Sequence, residues 1–166
     1  GFAVFVFDYR GYGRSDAPGR RLQRADLMDD TRAALDALLR IPEIDPARVS
    51  VYGVSIGNAF STSLAAERSE VRGVVAAAPF SGWSRIANLH VPVLGGLLIR
   101  GGLDPAEACA ALGSRPLLLV HGGLDTIVPP VESEIIERAA VERGVTVRRV
   151  LVPEAGHHDI VYADQE

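Results

Sequence analysis

One cysteine, Cys109, is all the chain has, which excludes an internal disulfide and a cysteine-built metal cluster. No apolar run approaches the roughly 18 residues that a membrane-spanning helix requires. Excess charge of one sign is missing too. Seventeen basic residues face 21 acidic ones for a net charge of -4, which gives no electrostatic field for nucleic acid. The arginines are scattered or paired with acids, and the one cluster, Arg20, Arg21 and Arg24, reads as a solvated face beside a helix start. With 48% hydrophobic and 23% charged residues, the composition is that of an ordinary globular domain. A cytoplasmic location, no nucleic-acid partner, no metal and no cofactor are the expectations, and nothing fixes an oligomeric state.

Strand-like and helix-like segments alternate along the chain, which predicts a mostly parallel sheet covered on both faces, a three-layer α/β/α sandwich. Phe2 to Asp8 reads as a near-continuous apolar strand buried on both faces. A helix follows from Asp26 as N-cap to Leu39, with Pro42 beyond it. Strands are predicted at 49–53, 71–78, 116–121 and 145–152, and helices at 56–68 and 130–143. Between Phe80 and Ser114 the pattern is broken by Gly95-Gly96 and Gly101-Gly102, so that stretch reads as an insertion or small cap on a single domain spanning 1–166.

The run Val49-Ser50-Val51-Tyr52-Gly53-Val54-Ser55-Ile56-Gly57-Asn58 carries the most chemistry. A short apolar strand enters Gly-x-Ser-x-Gly and then a helix, the setting in which a serine hydroxyl is held at the apex of a tight turn. Crowding by strand and helix is the expected reason for both glycines. The pentapeptide alone is weak, since a chain this rich in glycine holds one by chance on the order of 0.1 times. Partners decide the matter.

A nucleophilic serine needs a base within hydrogen-bond reach and an acid that orients it. Asp125 follows the strand Leu117 to His121, and His157 follows the strand 145–152. Carboxyl ends of parallel strands share one edge of the sheet, so Ser55, Asp125 and His157 are expected to converge there. Asp104 repeats the Gly-Gly-Leu-Asp of Asp125 but follows no strand and precedes Pro105, which suits a helix start. His158 cannot face the serine together with His157. His121, at a buried strand end, reads as a structural hydrogen-bonder, and His90 has no readable context. Gly11-Tyr12-Gly13 lacks the third glycine of a dinucleotide fingerprint, because Asp16 stands there.

In these residues the chain resembles the alpha/beta-hydrolase superfamily, and within it the Bem46-like and serine-aminopeptidase-like esterases and thioesterases. Phe7 to Ser15 is similar to the loop after the family's fourth strand, Gly53 to Gly57 to its nucleophile elbow, and Gly122 to Asp125 and Gly156-His157 to its acid and base loops. The resemblance implies a serine hydrolase acting on an ester, thioester or amide of a small-molecule or acylated substrate through an acyl-enzyme on Ser55, with His157 as base, Asp125 as acid and the Ile56 backbone N–H as one oxyanion donor. A non-catalytic hydrolase-like binding module, or an inactive fragment, is the alternative. The family's first strands, including the loop with the second oxyanion donor, are expected to be missing, as in an N-terminally truncated piece of a domain of roughly 250 residues. Phe80 and Trp83, with Leu94, Leu97, Leu98 and Ile99, are candidates to line an apolar acyl pocket, or equally to cover the sheet.

Overall fold

The computed structural model describes residues 2–92 and 102–160, and the chain divides into two compact units, Gly1–Arg48 and Val49–Glu166. Leu94, Leu97, Leu98 and Ile99 lie outside the described residues.

In the first unit, helix α1 spans Arg24–Leu39. Its N-cap is Gln23, and Asp26 stands at the third helical position, where its Oδ2 accepts the Gln23 backbone N–H at 2.9 Å. The N-cap therefore lies three residues before the predicted one, because the carboxylate caps from inside the first turn. The expected solvated face at 20–24 is also partly engaged: the Arg20 guanidinium grips Asp26 at 2.5 and 2.8 Å, and this bond, helped by the Gln23 N–H, pulls the Asp26 carboxyl down to about 2. Arg10 binds Asp30 through Nε at 2.8 Å and through its own N–H at 2.9 Å. The predicted first strand is overturned. Residues 2–9 hold no regular structure, and Val4 and Val6 are 84% and 82% exposed. An apolar segment becomes a strand only when a neighbouring strand takes its backbone groups, and among the described residues no strand pairs with this one.

The second unit is a four-stranded parallel sheet in the order β1-β2-β3-β4, formed by Val49–Val54, Val71–Ala77, Leu117–Gly122 and Val147–Val152. Helix α2 spans Ile56–Glu67, α3 Trp83–His90, α4 Pro105–Ala110 and α5 Val131–Glu142. The strands follow one another in chain order, and each right-handed crossover therefore leaves its helix on the same face. Accordingly α2 and α5 pack against the strands and α4 packs against both helices, forming one helical layer on the sheet. The core between them includes Leu64, Val74, Ala76, Leu117, Leu119 and Ile136, all buried.

Within the stretch read as an insertion, α4 belongs to this core layer, with Ala108 and Cys109 buried. Burial pushes the Cys109 thiol up to about 12, so it acts as a small apolar side chain. Asp104 is the N-cap of α4, the helix-start role expected of it, and its Oδ1 also accepts the Trp83 N–H at 2.8 Å, tying α3 to α4. The loop after β2 is anchored by Glu132, whose side chain is wholly buried: Oε2 accepts the Ser81 N–H at 3.0 Å and Oγ–H at 2.6 Å, and Oε1 takes Arg85 Nε at 2.5 Å. A buried carboxylate so bonded leaves stranded donors when it is removed. Glu132→Ala is expected to lower unfolding stability by about 2–4 kcal/mol, read as a fall in the urea midpoint with unchanged m-value.

Candidate active site

Ser55 sits between the end of β1 and the start of α2 with φ 50° and ψ -121°, a region that non-glycine residues seldom occupy. What holds it there is β2. The Ala77 carbonyl accepts both the Ser55 N–H at 2.9 Å and Asn58 Nδ2–H at 2.7 Å, so the turn and the first turn of the helix hang on one oxygen. Crowding explains one glycine of the motif. A Cβ on Gly53 would come within 2.9 Å of the Asn58 N and Cα, whereas one on Gly57 would meet no described atom within 4 Å. The shared explanation for both glycines is thus corrected: it applies to Gly53 alone.

The acid and base loops lie beyond the carboxyl ends of β3 and β4 and are stitched to each other. Gly123 N–H donates to Val152 O at 2.8 Å and Leu124 N–H to Ala155 O at 3.0 Å. The backbones approach so closely that a Cβ on Gly123 would lie 2.6 Å from Pro153 O. That approach fixes Asp125 relative to His157 although the two are 32 positions apart in the chain.

The structure brings together the three side chains singled out from the sequence. His157 Nε2 lies 2.9 Å from Ser55 Oγ, and His157 Nδ1 lies 2.7 Å from Asp125 Oδ2. The other carboxylate oxygen, Oδ1, accepts the backbone N–H groups of Ile127 at 3.0 Å and Val128 at 2.8 Å. Asp125 is buried and His157 half-buried, while His158 is exposed, its ring edge-on to His157 at 5.2 Å between centroids. In this arrangement Ser55 Oγ–H can pass its proton to His157 Nε2, with the Nδ1–H kept on the carboxylate. Ile56, the first residue of α2, has no acceptor for its N–H inside the helix, and its side chain is 59% exposed beside the serine.

His121 ends up nearer this chain of bonds than its reading as a structural residue implied. Its Nε2 is 2.8 Å from Val128 O and 3.4 Å from Asp125 Oδ2, and the residue is wholly buried. Burial pulls the imidazole below its ordinary range, against the opposing pull of the Val128 carbonyl and the Asp125 charge. Asn58 and Glu132, which hold the elbow and the neighbouring loop, were not found from sequence; a buried polar residue in an apolar helix face is the available signal for each. Of the two pocket candidates, Phe80 is 3% exposed and packed with Ala59 and Val128, so it is core; only Trp83, edge-on to Phe80 and Phe60 with centroids at 5.0 and 6.0 Å, keeps accessible surface.

A strained serine on a strand-to-helix turn, with acid and base loops converging on it from later strands, defines the alpha/beta-hydrolase class. The sequence profile of the serine aminopeptidase (S33) family matches residues 1–103, and the chain belongs to that family. An uncharacterized protein of Mycobacterium tuberculosis is 37% identical over 161 residues, covering 96% of this chain and 54% of that protein. The alpha/beta hydrolase domain-containing protein WAV2 of Arabidopsis thaliana is 28% identical over 171 residues, covering 94% and 54%. The chain thus spans about half the length of the curated relatives it matches. Among solved structures, an esterase of Pyrococcus furiosus superposes with a TM-score of 0.74 at 19% identity over 96% of this chain and 63% of that one. An acylaminoacyl peptidase of Pyrococcus horikoshii gives 0.70 at 15% identity over 83% and 24%. These likenesses establish the fold.

Two outcomes follow from the geometry. Gly123→Ala is expected to force the acid and base loops apart and to cost about 1–3 kcal/mol, seen in the denaturant midpoint, whereas Gly57→Ala should leave that midpoint within about 0.5 kcal/mol. Because the His121 imidazole titrates lower folded than the 6.5 of the free side chain, the unfolded chain binds the proton first, and this part of the stability, complete above about pH 6.5, declines as the pH falls below it. Denaturant midpoints between pH 7.5 and 5 should therefore fall more steeply in the native protein than in His121→Gln.

Proposed function

We propose that the protein is a serine hydrolase that cleaves an ester, thioester or amide through an acyl-enzyme on Ser55. The observation that carries this reading is the continuous run of short contacts from Asp125 Oδ2 through His157 to Ser55 Oγ, at 2.7 and 2.9 Å. In the proposed cycle, Ser55 Oγ attacks the substrate carbonyl carbon as its proton moves to His157 Nε2, and Asp125 stabilises the imidazolium that forms. The tetrahedral oxyanion is met by the Ile56 N–H, at the positive end of α2. Collapse breaks the bond to the alcohol, thiol or amine, which leaves with the proton from His157. Water, deprotonated by the same imidazole, then attacks the acyl carbon and releases the acid and the free Ser55 hydroxyl. Trp83 is the proposed apolar contact for the acyl group, with its accessible surface on α3.

Family membership, together with esterases and peptidases among the structural neighbours, supports hydrolysis and leaves the acyl group and leaving group open. Intact-mass labelling with a fluorophosphonate tests the reading. The expected result is one adduct on the native protein, none on Ser55→Ala, and labelling slowed by roughly 10³-fold or more in His157→Ala and Asp125→Asn. Absence of an adduct on protein that circular dichroism shows to be folded would overturn it in favour of a non-catalytic binding module.

A further inference from the structure

We propose that His121 is a positioning residue for this reaction: its Nε2–H is the second imidazole donor directed at Asp125 Oδ2, and it locks the acid to the Val128 carbonyl. The inference rests on the Ser55 hydrolase reading for its kinetic consequence, while its structural content stands on geometry alone.

Both neighbours of His121 Nε2, the Val128 carbonyl at 2.8 Å and the Asp125 carboxylate at 3.4 Å, can only accept. The nitrogen must therefore carry the hydrogen, which fixes the tautomer. The opposite nitrogen, Nδ1, is buried without a hydrogen-bond partner among the described residues. An imidazolium would bury an unsatisfied Nδ1–H there, so the neutral ring is the form the site accommodates. A neutral donor can hold Asp125 without neutralising the charge that His157 needs. The same Val128 residue gives its N–H to Asp125 Oδ1 at 2.8 Å and its C=O to His121, closing a small ring of bonds around the acid. Asp125 thus accepts three hydrogen bonds, from Ile127 N–H and Val128 N–H on Oδ1 and from His157 Nδ1 on Oδ2, and His121 Nε2 flanks Oδ2 at 3.4 Å while donating to Val128 O. The charged or titratable groups facing His121 are Asp125 and, beyond it, His157.

Loss of the His121 donor concentrates the carboxylate charge on His157 and frees Oδ2 to swing. His121→Phe should slow fluorophosphonate labelling about 10-fold or more, as expected for losing a bond to a charged group, and move the acid limb of its pH profile upward. His121→Gln, which retains an N–H donor, should restore the rate to within a few-fold and return the limb. A folded His121→Phe with the native rate and native pH profile would overturn the inference. Should His121→Phe fail to fold, ¹⁵N spectra of the native protein decide it, with the His121 signals identified by their loss in His121→Gln. A neutral ring protonated at Nε2 from pH 8 to pH 6 supports the proposal, and an imidazolium or an Nδ1–H tautomer in that range refutes it. If the native protein takes no label at all, the hydrolase reading fails and the spectra still judge the role of His121.

Discussion

One backbone oxygen carries much of this site. The Ala77 carbonyl, at the carboxyl end of β2, receives the Ser55 N–H and the Asn58 amide together, and so joins the serine turn, the start of α2 and the middle of the sheet. Without that acceptor the Ser55 backbone, at φ 50°, would relax toward the ordinary regions, since such a conformation costs about 1–3 kcal/mol and persists only where neighbours impose it. The strand-to-helix turn is therefore a tertiary feature, held from the next strand rather than by its own sequence.

A similar logic governs the acid and base. Asp125 is buried, and a buried carboxylate is tolerable only when its oxygens are taken up by donors. Its donors come from its own loop and from the loop after β4, so the residue is solvated by the parts of the fold it must connect. The close glycine approach at Gly122 and Gly123 is what lets those loops meet. Packing at 3 Å between backbones and hydrogen bonding to the carboxylate are consequently the same constraint seen twice.

Which parts were legible in the sequence follows from where their signals lie. The four parallel strands and the helices after β1 and β3 carry strong local periodicity, and Ser55, Asp125 and His157 could be located because each stands just past a strand end. The apolar run 2–8 carried the same signal as a buried strand but is not one, because apolarity says a segment can be buried and cannot say that a neighbour is there to pair with it. Helix α4 was hidden by its length of six residues and by the glycines before it. Asn58, Glu132 and the second face of His121 act through residues from 4 to 51 positions away, and no local pattern encodes such pairings. Phe80 looked equally like pocket or core, and only packing against Ala59 and Val128 decides for core.

The strand order adds a consequence for how stability and chemistry are linked. β2 lies between β1 and β3, pairing with both, and it ends on the carbonyl that holds Ser55. β3 lies between β2 and β4 and ends in the acid loop, which is bonded to the base loop beyond β4. Each catalytic candidate is thus attached to an interior strand, directly or through one hydrogen bond. Interior strands open only when most of the sheet opens, unlike surface loops, which open locally at little cost. Substitutions that loosen β2 or β3 accordingly reach the serine and its partners even when they lie on the far side of the strand.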